Sequence, residues 1–153
     1  MGRVVISDTS CFIAFDRINQ IEILHKVFNS VLTTPTVVQE FGKNLPPWVI
    51  VAEPTNQGKQ IELERILDKG EASAIALALE IQHSVIIIDE KKDRNLAKSL
   101  NLEVIGSLKV LLIAKQKGFI ESIYPFIQDL EGKNFRFSKA LVEQALIEAG
   151  EIA

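Results

Sequence analysis

Two stretches of the chain are apolar without alternation: Val4-Val5-Ile6 and Val85-Ile86-Ile87-Ile88. A strand with no polar face is covered on both sides, as in the middle of a parallel sheet. Residues 30–33 read as a short strand, residues 48–52 as an edge strand, and Glu103-Val104-Ile105 as a further strand. Helical patterns fill the gaps. A short helix follows Asp8, with Cys11, Phe12, Ala14, Phe15 and Ile18 as its apolar residues, and a second spans 21–28. Thr34-Pro35-Thr36 opens a third, whose apolar face is Val37, Val38 and Phe41, and Gly42 and Asn44 stop it. Residues 60–67 form the next, ending at Asp68-Lys69-Gly70. Glu71 starts the most strongly patterned helix, with Ala72, Ile75, Ala76 and Leu79. Helices then run from Asp89 to Leu100, over 108–117, over 120–130 apart from Pro125, and over 138–149 between Ser138 and Gly150. Strands alternating with helices predict an α/β fold, a three-layer α/β/α sandwich with a mainly parallel central sheet.

The same pattern places the acids. Asp8 and Asp89 each end a buried-type strand, so a parallel sheet carries both to one edge, where such sheets place their ligands. Glu71 begins the helix that feeds the Asp89 strand and therefore starts near that edge. Glu40 is expected one turn inside its helix among Val37, Val38 and Phe41, where an unpartnered carboxylate is costly. Asp93 lies one helical turn beyond Asp89 and can point back at it. Taken singly, each has a plainer reading. Asp8 and Asp89 suit helix N-caps, and Glu71 suits a helix first turn. Glu40 suits a surface, and Asp93 a solvated helix face beside Lys92 and Arg94. Taken together they are carboxylates that repel one another unless a cation intervenes. Mg²⁺ or Mn²⁺ is the natural cation for an all-oxygen site, and such sites serve phosphodiester hydrolysis.

Composition narrows the field. The chain has 153 residues, 47% of them hydrophobic, which is enough for one domain with a real core. Its net charge of −3 means that a nucleic-acid partner would need a local basic patch. A single cysteine excludes an internal disulfide and fits a reducing cytoplasm. No apolar run reaches membrane-spanning length, and Met1-Gly2-Arg3 leads into a strand rather than a secretory or myristoylation signal. Cys11 and Arg17 have a phosphatase-loop spacing, but Phe12, Ile13 and Phe15 prevent a backbone phosphate cradle, so Cys11 belongs to the core. His25 and His83 have no ligand-spaced partners, and a receiver-like phosphoacceptor would need an acidic pair before Asp8 that Val4-Val5-Ile6-Ser7 lacks.

The order Asp8-Thr9-Ser10, Thr36-Val37-Val38-Gln39-Glu40, Gly70-Glu71-Ala72-Ser73-Ala74 and Ile87-Ile88-Asp89 resembles a PIN domain. Asp93-Arg94-Asn95-Leu96-Ala97, Gly106-Ser107-Leu108 and Leu111 to Lys115 resemble one prokaryotic branch of that family. The resemblance covers about 3–130 of a single domain spanning 1–153, with a helical extension at about 138–150. It implies a Mg²⁺- or Mn²⁺-dependent ribonuclease, often the VapC-type toxin of a toxin–antitoxin pair. Such a toxin is expected to form a homodimer and to bind a small antitoxin. By position, Asp8, Glu40 and Asp89 would be metal ligands, Glu71 the acid at the start of the middle helix, and Ser10 a supporting hydroxyl. Many members of the branch carry a second Asp after the position of Asp89, where this chain has Glu90, so the fourth ligand lies between Glu90 and Asp93.

Lys91, Lys92, Arg94 and Lys98 follow the Asp89 strand and are candidates for holding RNA phosphates. Lys133, Arg136 and Lys139, interleaved with Phe135 and Phe137, form a second basic stretch, although phenylalanines so placed are more often core or dimer contacts. A non-catalytic PIN-fold interaction module that has lost full metal binding is the alternative.

Overall fold

The computed structural model describes residues 3–153; Met1 and Gly2, on which the leader readings partly rested, lie outside the described residues. Five strands form one parallel sheet: β1 (Val4–Ser7), β2 (Val31–Thr33), β3 (Val49–Val51), β4 (Ser84–Ile87) and β5 (Glu103–Ile105). Their order is β3-β2-β1-β4-β5, and β1 pairs with β4 in a register that sets Ser7 opposite Ile87. The chain therefore builds outward on one side of β1, returns, and builds outward on the other.

The unalternated strands are apolar because each of their faces meets a helical layer. On one side Val5, Val85 and Ile87 join α1 (Thr9–Arg17), α2 (Glu22–Phe28) and α7 (Ser107–Gln116). The last two helices, α8 (Tyr124–Gly132) and α9 (Lys139–Glu148), pack on this side too. On the other side Ile6, Ile86 and Ile88 meet α5 (Lys69–Glu80) and Ala97 of α6 (Lys91–Ser99). The small residues Ala72, Ala74, Ala76 and Ala78 let α5 approach closely, and all are buried. The three-layer α/β/α sandwich is thus present.

Three boundaries differ from the sequence expectation. The helix before α5 is α4 (Gln57–Leu63) rather than 60–67: it starts early because the Asn56 side chain accepts from the Lys59 backbone at 3.0 Å, and it ends at Leu63. Residues 68–70 do not end a helix but begin one: Asp68 caps α5, accepting from the Glu71 backbone at 2.9 Å, and Gly70 sits in its first turn. Helix α8 starts at Tyr124 rather than 120, because Pro125 has no N–H to offer and belongs in a first turn. Glu40 lies in the last turn of α3 (Pro35–Phe41), which Gly42 terminates at φ 76°, and the residue is exposed rather than set in an apolar face. Cys11, Phe135 and Phe137 pack with the core, and His25 stacks on Trp48 at 5.2 Å between centroids. Among the described residues, no helix is long and apolar enough to cross a membrane.

Candidate metal centre

The strand order reverses between β1 and β4, and the crevice beyond their carboxyl ends is where open parallel sheets bind ligands. Asp8 follows β1 directly and is 2% exposed. One of its oxygens, Oδ1, caps α1 by accepting from the Cys11 backbone at 3.2 Å, so the plain N-cap role is real. The carboxyl is nonetheless pushed up to about 8. Burial is the main cause, and the charges of Asp89, Asp68 and Asp93 add to it against the Cys11 hydrogen bond. The Cys11 thiol is raised as well, by burial and then by Asp89 and Asp8, which leaves it an inert core group.

The tightest acidic group comes from two helix starts. One carboxylate oxygen each from Glu71, Glu90 and Asp93 lies within 4.8 Å of the other two. Glu71 is in the first turn of α5, Glu90 caps α6 without a side-chain cap bond, and Asp93 is in the first turn of α6. Asp93 is 4% exposed, so it is not a solvated helix charge. Its carboxylate meets those of Glu71 and Glu90. The Glu71 carboxyl is strongly raised by burial, by hydrogen bonding with Asp93 and Asp68, and by their charge. Among the described residues, every ion pair lies elsewhere: Arg3–Glu103, Lys43–Asp16, Lys59–Glu62 and Lys115–Glu151. A crowd of hard oxygen donors with no cation from the protein itself suits a divalent metal ion.

Glu40 and Asp89 stand beside this group with their oxygens already engaged. Thr9 Oγ1 donates to Glu40 Oε1 at 2.6 Å, and the Gly70 backbone donates to Oε2 at 3.1 Å. A Cβ at position 70 would overlap Glu40 Oε1 and lie 2.7 Å from Thr9 Oγ1, so any side chain there would displace the Glu40 carboxylate from its place. Ser107 donates twice to Asp89, from its backbone to Oδ1 at 2.7 Å and from its hydroxyl to Oδ2 at 2.5 Å. Ser10, the expected supporting hydroxyl, is exposed; Thr9 and Ser107 are the hydroxyls bonded to acids.

A family model described as a PIN domain matches residues 4–151. The chain belongs to the PIN-domain family. A comparison with curated proteins found no match. The family match runs past residue 130 and takes in α8 and α9. PIN domains are generally nucleases that use divalent metals, and the acidic edge of this PIN domain has the chemistry to hold one.

Sequence reasoning missed Asp68 here. Its charge raises both Asp8 and Glu71. The available signal was an Asp three residues before Glu71, the spacing of an N-cap, masked by reading 68–70 as a helix end. Of the basic candidates, Lys91, Lys92 and Lys98 are exposed and Arg94 is half-buried. Lys91 and Arg94 share a groove with Asp89, and Lys92 shares a smaller cleft with Asp93.

Proposed function

We propose that this PIN domain is a Mg²⁺- or Mn²⁺-dependent endoribonuclease. The observation that supports it is the convergence of Glu71, Glu90 and Asp93 oxygens within 4.8 Å beside the buried Asp8. Glu71, Glu90 and Asp93 would hold the ion, with Asp8 as a further donor and Asp89 and Glu40 fixing the surrounding elements. A bound divalent ion supplies positive charge that polarises the scissile phosphodiester and favours ionisation of an attacking water. Asp8, raised to about 8, keeps a proton at neutral pH until a cation takes its place. Glu71 brings a carboxylate oxygen within 4.8 Å of those of Glu90 and Asp93, and its backbone N–H donates to Asp68 Oδ1 at 2.9 Å, which fixes the start of α5 beside them. Lys91, Lys92, Arg94 and Lys98 bind the phosphates flanking the cut.

A fluorescent single-stranded RNA incubated with Mn²⁺ tests the reading. The wild type cleaves it, chelation stops cleavage, and Asp8→Asn and Asp93→Asn each remove it. Unaltered cleavage by both variants would refute the assignment. The hydrogen bonds that occupy Glu40 and Asp89 favour a second reading, a non-catalytic PIN-fold module. Calorimetric titration with Mn²⁺ separates the two, because a module that has lost its metal shows no heat of binding. The finer role is that of a cytoplasmic VapC-type toxin that forms a homodimer and is held in check by a small antitoxin. Expression alone then arrests growth, and coexpression of the adjacent reading frame relieves it.

A further inference from the structure

Glu40 stands outside the trio of acids whose oxygens converge; among the described residues that trio is Glu71, Glu90 and Asp93. Yet each of its two oxygens takes a hydrogen bond from the chain neighbour of a site acid. Thr9, which follows Asp8, donates to Oε1 at 2.6 Å, and Gly70, which precedes Glu71, donates to Oε2 at 3.1 Å. One side chain in the last turn of α3 therefore spans the start of α1 and the start of α5. The bond to Gly70 answers a need of α5 itself. An N–H in a helix first turn has no partner inside the helix, and the helix dipole favours a carboxylate there.

The other end of α3 reaches the same glycine. Thr34 Oγ1 accepts from the Val37 backbone at 3.2 Å and lies 2.6 Å from Ser73 Oγ. Ser73 Oγ donates to the Gly70 carbonyl at 2.8 Å. A hydroxyl has one proton, and that of Ser73 goes to Gly70, so Thr34 is the donor between the two. Both hydroxyls are fully buried. The two backbone groups of Gly70 are thus fixed by α3, the carbonyl from its start and the N–H from its end.

We propose that Glu40 is a positioning residue rather than a metal ligand: it brackets Thr9 and Gly70 and so sets Asp8 and Glu71 at the separation a divalent ion needs. The inference rests on the ribonuclease reading and deepens it, because α3 then shapes the metal centre without supplying a ligand. The bracket needs two hydrogen bonds, not a charge. A glutamine at position 40 can keep both, its oxygen accepting from Gly70 and its amide donating to Thr9 Oγ1, since a hydroxyl can accept as well as donate. A ligand has no such tolerance, because an amide surrenders the charge and one of the two oxygens that a hard cation takes.

Two measurements on the full chain test the bracket: Mn²⁺ affinity by calorimetry, and hydrogen exchange of the Gly70 amide by NMR in EDTA. Glu40→Ala exchanges Gly70 about tenfold faster and weakens Mn²⁺ binding by about 10- to 100-fold, the usual cost of removing a group that orients ligands. Glu40→Gln restores Gly70 protection and weakens Mn²⁺ binding by no more than about threefold. Thr9→Val loses Mn²⁺ affinity in the same direction as Glu40→Ala, and Thr9→Ser recovers most of it. Gly70→Ala, whose Cβ displaces Glu40, is costly alone and adds little to Glu40→Ala. Melting curves verify folding, and should Glu40→Ala not fold, the Gln, Val and Ser variants decide. Glu40→Gln losing about 10-fold or more in Mn²⁺ affinity with Gly70 still protected would overturn the proposal and make Glu40 a ligand. A Glu40→Ala protein that melts lower but keeps its Mn²⁺ affinity would overturn it too, since the role would then be structural. If Asp93→Asn abolishes Mn²⁺ binding while Glu40→Ala does not, the bracket fails and the metal centre stands. If the wild type takes no Mn²⁺, the nuclease reading fails, and Gly70 exchange in EDTA still decides whether Glu40 holds the start of α5.

Discussion

Glu151 and Glu71 are the same residue treated in opposite ways. Glu151, just past α9, receives four donors: Lys115 Nζ at 3.0 Å, Ser122 Oγ at 2.8 Å, and the backbones of Ile123 at 2.8 Å and Tyr124 at 3.2 Å. Burial alone would raise its carboxyl, but the donors prevail and hold it at about 2. Lys115 also donates to the Ala149 carbonyl at 2.6 Å, so one charged pair fastens the end of the chain to α7 and α8. Glu71 has burial without that supply of donors, and its neighbours are acids. Where the fold wants stability it surrounds a carboxylate with N–H and O–H groups. At the sheet edge it crowds carboxylates together and leaves the compensating charge to come from outside. Such a conflict costs stability and is found at functional sites.

The sharpest break in this contrast is Asp93→Asn. Mn²⁺-dependent cleavage is expected to fall about 100-fold, as for loss of a metal-site group, while the metal-free protein melts at a higher temperature because one repelling charge is gone. A variant that loses both activity and stability would show that Asp93 is structural. The pH dependence comes next. Asp8 titrates near 8 when folded against 3.8 ordinarily, so its contribution is full below pH 3.8 and lost as pH rises through 8. Glu151 works in the other sense, present above 4.5 and lost as pH falls through 2. Melting temperature in EDTA should therefore peak between about pH 4 and 5, and Mn²⁺ should restore what is lost near pH 8. A profile flat between 5 and 8 would remove Asp8 from the strained set.

Smaller effects complete the comparison. Glu151→Ala strands Lys115 and the Ser122–Tyr124 donors, and urea unfolding should report a loss of about 2 kcal/mol with Mn²⁺ affinity unchanged. Lys43→Ala removes an exposed pair with Asp16 at 2.8 Å and should change stability by less than about 0.5 kcal/mol. If that exposed pair matters as much as the Glu151 clamp, burial is not what sets the value of a satisfied charge here.

Strand identity was legible because burial on both faces leaves a mark in composition: Val5 and Ile6 are adjacent, both apolar, and face opposite layers. From that alone Asp8 and Asp89 could be set at one edge. The ends of α5 and α6 were harder to read. Asp68-Lys69-Gly70 has the composition of a turn, yet Asp68 caps a helix, and Gly70 lies in its first turn against the Glu40 carboxylate. Asp93, between Lys92 and Arg94, looks like a surface residue until the start of α5 is laid against the start of α6. The union of Arg136 and Phe137 with Arg94 in one groove depends on where α9 docks, which no local pattern encodes.

The sequence by itself determined the layers, the parallel sheet and the gathering of acids at its carboxyl edge, since each follows from residue period and strand direction. Only the tertiary structure decided that Glu71, Glu90 and Asp93 meet while Glu40 and Asp89 are tied to Gly70, Thr9 and Ser107. Side-chain contact between helix starts depends on how two helices pack against one sheet, and differences of a few ångströms there leave the hydrophobic pattern unchanged.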